Sequence, residues 1–496
     1  MLCTKQAYHE RLFGMKPNIY IGGEPAGRDD PRLRPGIRVL DITYDLAMDD
    51  QYKGLVTATS HLTGEEINRW AHLPQNPHDL LQKQKMIRIG ARRAGGCIQR
   101  CMGQDALNAF AVCTKEMDDQ NATDYHTRFL NYLKGYQSRD LDGCCAQTDS
   151  KGDRLKRPSQ QDNPNAYVHV VEERPEGIVV SGYKMSITQA AYADEIFVLP
   201  TRALMEDDRD FAVAFAIPAD TEGIRIITRP VWLREKDDPD AAPFHRFGVS
   251  DSVIVFDRVF IPKDRVFMCG EWRFGRRMAL LFANSHRHSY CGCKPAVSDI
   301  LCGAAALAAE ANNVHGVSHV KEKLAEFASA ASLAYAAGVS AALFGEKTSS
   351  GVYFPNTVYA NVGRRLTGEL IYHEYQLLTE IAGGIAATLP FGEDFKKGDN
   401  VEHLKQFIVR NPRFSSEESL KIWKFIEDLG TSAMASWYKI AGVHGGGSPI
   451  METIALNIEY DFEDKKRLAR YLSGLDEKAD DSAVLKMEPT FGKQLC

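Results

Sequence analysis

Twelve residues, Asn284-Ser-His-Arg-His-Ser-Tyr-Cys-Gly-Cys-Lys-Pro295, hold two histidines, a tyrosine, two cysteines and a lysine. Far upstream, Cys97-Ile-Gln-Arg-Cys101 adds two more thiols. A spacing of four places Cys97 and Cys101 on one face of a helix, with Cβ atoms about 5–6 Å apart. His286 and Cys293 are seven apart, two helical turns, and share a face in the same way. The two segments together offer three thiolates and one imidazole, a four-ligand donor set built from distant elements. Taken singly, each half also fits small buried hydrophobes. The donor types suit structural zinc, and they suit an iron–sulfur cluster with one unusual histidine ligand. Spacing alone does not choose between them.

The elements that must position these groups fall into three parts, 1–140, 141–271 and 272–496. Residues 1–35 are rich in turn signals and read as an irregular entry segment. From Val39 to about Leu133 the periodicity is helical, including Gly64–Ala71 with Thr63 as N-cap. Lys83–Thr114 is expected to be helical and to carry both Cys97 and Cys101, with a break at Gly95-Gly96. At about Leu141 the period changes to two. Short β-branched runs at 166–171, 177–181, 195–199, 211–217, 223–227 and 252–256 predict an antiparallel barrel or sandwich. Arg229–Phe247 reads as a polar surface loop. Beyond Trp272 the runs Asp299–Leu343, Tyr359–Thr388, Ser416–Gly442 and Ser448–Leu472 predict a helical bundle, followed by a charged tail, Asp476–Cys496.

The chain has 496 residues, 44% hydrophobic and 25% charged, with a net charge of -6. That balance gives no reason to expect nucleic acid or an anionic membrane as partner. No apolar run approaches the roughly 18–20 residues of a membrane span, and the N-terminus lacks the apolar core of a signal peptide. Eleven irregularly spaced cysteines predict reduced thiols and a cytoplasmic protein. No Gly-x-Gly-x-x-Gly follows a strand, so a Rossmann site is not expected.

HRHSYCGCK and GCIQRCMGQDALNAF resemble the cluster-binding segments of the 4-hydroxybutyryl-CoA dehydratase family, and the similarity extends from Met1 to about Leu475. That family lies in the 4-hydroxyphenylacetate 3-hydroxylase superfamily. The resemblance implies an α+β, acyl-CoA dehydrogenase-like fold with an N-terminal helical domain, a middle β-domain and a C-terminal bundle. It implies a [4Fe-4S] cluster on Cys97, Cys101, His286 and Cys293. It also implies FAD along Gln147, Thr148, Asp149, Lys151 and Arg154, with Ser186 and Thr188 on the β-domain. Gly383 and Gly384 match the place where the bundle meets the flavin diphosphate, and the loop Val443–Pro449 is a second flavin contact candidate.

The expected activity is dehydration of 4-hydroxybutyryl-CoA to crotonyl-CoA by a radical route, with isomerisation of vinylacetyl-CoA. His286 would double as base, Tyr290 would assist departure of the hydroxyl, and Lys294 would supply positive charge. Two positions depart from the family pattern: Asp251 and Ala441 each stand where a catalytic glutamate is expected. They leave room for a related hydroxyacyl substrate, or for a relative without turnover. A flavin-dependent aromatic monooxygenase, the superfamily's other branch, is the alternative enzyme class. The resemblance further implies a homotetramer, and a histidine-ligated cluster implies oxygen sensitivity. His288 is read as a packed histidine and Cys291 as a non-ligand.

Overall fold

Helix α1 (Lys5–Phe13) and the strand pair β1 (Ile19–Ile21) and β2 (Glu24–Ala26) form the entry segment of the computed structural model, which describes residues 2–231 and 246–480. The irregular entry expected from the turn signals is thus corrected. Gly22 and Gly23, with φ of 67° and 90°, close a hairpin there, and β1 runs parallel to a strand of the main sheet. Helices α2 (Arg34–Met48) and α3 (Asp50–Val56) follow, then the hairpin β3 (Thr57–Thr59) and β4 (Glu66–Asn68). The helix expected over Gly64–Ala71 is therefore a strand and a short 3-10 turn. Gly64, at φ 75°, takes the left-handed conformation that ends such a helix before it can begin.

Helices α4 (Pro77–Arg93), α5 (Cys101–Asn121) and α6 (Tyr125–Ser138) complete the N-terminal part. Asn76 caps α4, and Asp79 in its first turn receives the Gln75 amide at 2.9 Å, Arg69 at 3.1 Å and His72 at 3.1 Å. Burial alone would raise the Asp79 carboxyl, but these partners, His72 foremost, hold it at about 2. Stability from this grouping is fully present above the unfolded value near 3.8 and is lost as pH falls toward 2. Asp79→Asn is expected to flatten the acid limb of unfolding across that interval, measured by circular dichroism against pH.

The middle part contains β5 (Gly143–Ala146), β6 (His169–Arg174), β7 (Gly177–Thr188), β8 (Glu195–Val198), β9 (Val213–Pro218), β10 (Ile224–Val231), β11 (Val249–Pro262) and β12 (Val266–Cys269). They form a six-stranded sheet ordered β2-β1-β10-β11-β7-β6 and a four-stranded sheet ordered β12-β9-β8-β5. The expected antiparallel arrangement holds for most pairs, but β1 with β10 and β5 with β8 are parallel. Both parallel partners are short strands recruited from outside the alternating runs, which is why periodicity did not find them. The polar loop expected at Arg229–Phe247 lies largely outside the described residues, as does most of the tail.

The C-terminal part holds α7 (Gly275–Ala311), α8 (Ser318–Leu343), a two-stranded hairpin of β13 (Glu346–Lys347) and β14 (Tyr353–Phe354), then α9 (Thr357–Ala382) and α10 (Ile385–Thr388). Helices α11 (Val401–Ile408), α12 (Ser416–Thr431), α13 (Ala433–His444), α14 (Pro449–Glu459) and α15 (Phe462–Leu472) follow. Each long run predicted as one helix is divided in two by a turn. The spine is α7, 37 residues packed against α4, α5, α8 and α9. Among the described residues, Trp272–Ala311 is one stretch long and apolar enough by composition to cross a membrane, and 67% of its apolar window is buried inside the protein. This corrects the expectation that no apolar run approaches that length. Here the stretch is the core helix, with the ionisable Asn284–Lys294 segment buried in its middle.

Candidate metal and active centre

On α7, His286, Tyr290, Cys293 and Lys294 stand at i, i+4, i+7 and i+8, so all four project from one face. All are buried. The imidazole and the phenol meet edge to face at 5.0 Å between ring centroids. Pro295 lies inside this helix and cannot donate to the carbonyl four residues back, that of Cys291. Gln84 of α4 takes that place: its Nε2 donates to Cys291 O at 2.9 Å and to Tyr335 O at 2.8 Å. Gln84→Leu is expected to cost about 1–3 kcal/mol for buried carbonyls left without donors, readable as a lower unfolding midpoint.

Cys97 is not on a helix with Cys101. It lies in the loop between α4 and α5, and Cys101 is the first residue of α5. The expected shared helix face is therefore corrected: a loop and a helix N-terminus present the two thiols instead. Gly95 and Gly96 have φ of 74° and 150°, and a Cβ on Gly96 would meet the Tyr438 ring at 2.3 Å. Tyr438 of α13 fills that space and accepts the Cys97 N–H at 2.8 Å. Gln99 and Arg100 anchor the loop from below. Gln99 donates to Gly248 O at 2.9 Å and accepts from Tyr192 at 2.6 Å, while Arg100 pairs with Asp140 at 2.6 Å.

The residue that organises the centre is Asp105, one turn beyond Cys101 on α5 and fully buried. It accepts from His286 Nδ1 at 2.8 Å, Lys83 at 2.5 Å, Ser285 at 2.8 Å and Ser289 at 2.9 Å. Cys101 Sγ, an Asp105 oxygen and a His286 ring nitrogen all lie within 4.8 Å of one another. Burial would raise the Asp105 carboxyl, but Lys83 and His286 hold it at about 2. A carboxylate on Nδ1 fixes the imidazole tautomer and leaves Nε2 as the free nitrogen, as in carboxylate–histidine–metal triads. Sequence reasoning missed Asp105. The available signal was an aspartate one turn beyond a candidate ligand, immediately ahead of the mostly apolar run 106–113.

Cys97, Cys101 and Cys293 interact electrostatically with one another. Burial pushes each thiol up, Cys97 to about 12 and Cys101 well above its usual value. Lys294 and Arg364 oppose the rise at Cys293, and Cys101 also has the positive end of a 21-residue helix. Three thiols, Cys101 and Cys293 buried and Cys97 partly so, and an imidazole held on Nδ1 form a donor set that a multivalent cationic centre would ionise. The residues fit the expected cluster.

Tyr290 donates to Ala441 O at 3.3 Å, and its hydroxyl touches the backbone of Gly445, where a Cβ would lie 1.6 Å away. Arg364 stacks over the Tyr290 ring at 4.6 Å and donates to Gly445 O at 2.9 Å and Val443 O at 2.8 Å. Glu452 is buried 3.5 Å from Arg364, so it braces the Val443–Pro449 loop. Lys294 sits over the Tyr290 ring at 5.2 Å. Asp251 accepts from Thr188 and Trp437, each at 2.6 Å. His288 is fully buried, and burial lowers its ring to about 3. Cys291 is turned into α8 and α9, against Gly338 and Gly363.

The expected flavin residues are spread more widely. Asp149 is buried, paired with Lys184 at 2.8 Å and accepting the Val168 amide at 3.1 Å. Thr201 also bonds its carboxylate. It fastens the loop. Gln147, Thr148 and Lys151 are half-buried, and Arg154 and Ser186 are exposed. Gly383 and Gly384 end α9 exposed, and a Cβ on either would meet nothing. The structure thus sets Cys101, Asp105 and His286 side by side, and spreads the flavin-type residues from the buried Asp149 to the exposed Arg154, Ser186, Gly383 and Gly384.

Residues 4–268 match the N-terminal, and residues 276–474 the C-terminal, 4-hydroxyphenylacetate 3-hydroxylase family. The chain belongs to that family. Within it, the 4-hydroxybutyryl-CoA dehydratase/vinylacetyl-CoA-Delta-isomerase of Clostridium aminobutyricum is 37% identical over 96% of this chain and 100% of its own length. A solved archaeal 4-hydroxybutyryl-CoA dehydratase from N. maritimus, described as oxygen tolerant, superposes with a TM-score of 0.92 at 35% identity, covering 97% of this chain and 96% of that one. The oxygenase component of 4-hydroxyphenylacetate 3-monooxygenase, solved with FAD, gives 0.86 at 24% identity, covering 95% and 98%. This family member therefore has the acyl-CoA dehydrogenase-like fold that the resemblance implied, and its similarity is greater to the dehydratases than to that oxygenase.

Proposed function

We propose that the protein is an iron–sulfur flavoenzyme that dehydrates 4-hydroxybutyryl-CoA, or a closely related hydroxyacyl-CoA, to the enoyl product, and isomerises vinylacetyl-CoA. The observation that carries this reading is the buried His286, tied through Nδ1 to Asp105 and set beside Cys101, in a chain 37% identical to a dehydratase. Cys97, Cys101, Cys293 and His286 would hold a [4Fe-4S] cluster. The 147–154 loop, Ser186, Thr188, Gly383 and Gly384 would hold FAD, with the exposed glycines reaching it across a subunit contact in a homotetramer. When bound, the cluster supplies Lewis acidity and the flavin supplies one-electron chemistry.

The chain's own residues do the rest. His286 would offer Nε2 as cluster ligand or as base to a substrate carbon, one role at a time because that nitrogen has a single lone pair, and Asp105 keeps the hydrogen on Nδ1. Tyr290, locked between Arg364 and Gly445, presents its phenol where a leaving hydroxyl could take a proton. Lys294 adds positive charge beside Cys293. Burial of the whole α7 face excludes water from these groups. The three-part division at about 140 and 271 and a cytoplasmic setting belong to the same proposal. Ala441 favours a related hydroxyacyl group, since no carboxylate can act from that position.

The test is an anaerobic assay of iron- and flavin-loaded protein with 4-hydroxybutyryl-CoA, following crotonyl-CoA. Turnover supports the reading, and Ala441→Glu is then expected to change the rate without being required for it. Intact cofactors without turnover on this thioester would overturn the substrate assignment. Iron counted per chain before and after exposure to air tests the oxygen sensitivity expected of a histidine ligand.

A further inference from the structure

Asp251 stands near the start of β11, directly across from Thr188 of β7. Its two oxygens are taken up from opposite sides. Thr188 donates its hydroxyl to Oδ1 and Trp437 its indole N–H to Oδ2, both at 2.6 Å. One carboxylate therefore joins the β-domain to α13. That helix also carries Tyr438, whose hydroxyl accepts the Cys97 amide, and Ala441, whose carbonyl accepts from Tyr290. Trp437 and Ala441 are four residues apart and so lie on one helix face. Where the resemblance implies a glutamate at each of positions 251 and 441, this chain has an aspartate that an indole holds and an alanine one turn further along α13.

We propose that Trp437 is a positioning residue for Asp251, and that its indole is what makes the shorter carboxylate the fitting one. Aspartate keeps its oxygens close to β11. A donor must then reach across from α13, and the indole N–H, far from its own backbone, does so. A glutamate would carry its carboxylate one methylene further, into the space the indole ring occupies. Two donors on a short side chain fix the carboxylate plane, and each oxygen keeps lone pairs for a substrate hydroxyl or other donor. The catalytic part of this inference rests on the dehydratase reading; the Trp437–Asp251 bond does not.

The experiment compares W437F, W437H, D251E and D251E/W437F as iron- and flavin-loaded proteins, with kcat and KM for 4-hydroxybutyryl-CoA. W437F is expected to lower kcat about 10–100-fold through a misplaced carboxylate, with KM changed by less than about 2-fold. W437H carries an Nε2–H at similar reach and is expected to recover most of that loss. D251E is expected to be slow, and D251E/W437F faster than D251E, because removing the indole makes room. Equal losses in W437H and W437F, or losses that multiply in D251E/W437F, would overturn the proposal.

A second measurement needs no turnover: unfolding midpoints of W437F, D251N and W437F/D251N. The double variant is expected to unfold no earlier than the weaker single one, since both remove the same bond. Additive shifts would overturn the proposal. Wild-type protein without turnover would count against the dehydratase reading alone, and this unfolding cycle would then decide the Trp437–Asp251 contact.

Discussion

Asp105→Asn is expected to lower turnover about 10–100-fold and to reduce bound iron by a similar factor, the usual size of an outer-shell loss at a metal-bound histidine. The amide keeps the shape of the carboxylate but not its charge. His286 Nδ1, now 2.8 Å from a carboxylate oxygen, could face an NH2 group instead. The ring hydrogen would then sit on Nε2, the nitrogen needed for ligation and for base chemistry. Lys83, with its ammonium 2.5 Å from the same carboxylate and almost fully buried, would lose its counter-charge. Removing one partner of a buried pair costs about 3–5 kcal/mol, so loss of fold and loss of function must be separated. Lys83→Met with Asp105→Asn does so. The double variant is expected to regain stability in urea unfolding while iron content and kcat stay low. Recovery of both would assign Asp105 a structural role only.

Gly445→Ala is expected to cost about 100-fold in kcat, the scale on which a displacement of about 1 Å acts in a reacting site. The backbone there is ordinary, φ -66° and ψ 135°, so no conformational strain is involved. The effect is a collision: the added Cβ would lie 1.6 Å from the Tyr290 hydroxyl. Either the phenol or the Val443–Pro449 loop must move. Arg364 holds that loop through Gly445 O and Val443 O, and Glu452 backs Arg364. The tyrosine is therefore the group that yields, and His286, 5.0 Å from it edge to face, would lose its neighbour. Gly135→Ala, on the exposed side of α6, is a fitting control, because its Cβ would meet nothing within the chain. Steady-state kinetics and iron content distinguish a displaced phenol from a lost cluster: kcat falls and iron stays.

The donor set proposed for the centre follows from residue identities. Three cysteines and one histidine are donors wherever they stand, and the seven-residue step from His286 to Cys293 needed only the helix period to bring them to one face. The change from period 3.6 to period 2 at about Leu141, and its reversal near Trp272, marked the helical, β and helical parts before any contact was known. Local periodicity also set the errors. It extended one helix through Cys97, although two glycines with left-handed backbone and the Tyr438 ring turn that segment into a loop. It passed over β1 and β5, which are too short to alternate and are defined by their parallel pairing with β10 and β8.

What no local pattern could supply was pairing across the chain. Asp105 is an unremarked aspartate in a helix until Lys83, Ser285, His286 and Ser289 close around it from two other helices. Gln84 gains its purpose only from the carbonyl that Pro295 leaves unpaired, 207 residues away in the chain. Asp251 looks like a shortened glutamate until Trp437 is seen on its second oxygen. The sequence by itself determined which chemical groups were available and the periodicity of the elements carrying them, because those are properties of single residues and near neighbours. Tertiary structure decided their roles. Whether a buried carboxylate is a ligand holder, a brace or a base depends on which donors surround it, and those donors come from elements the sequence places far apart.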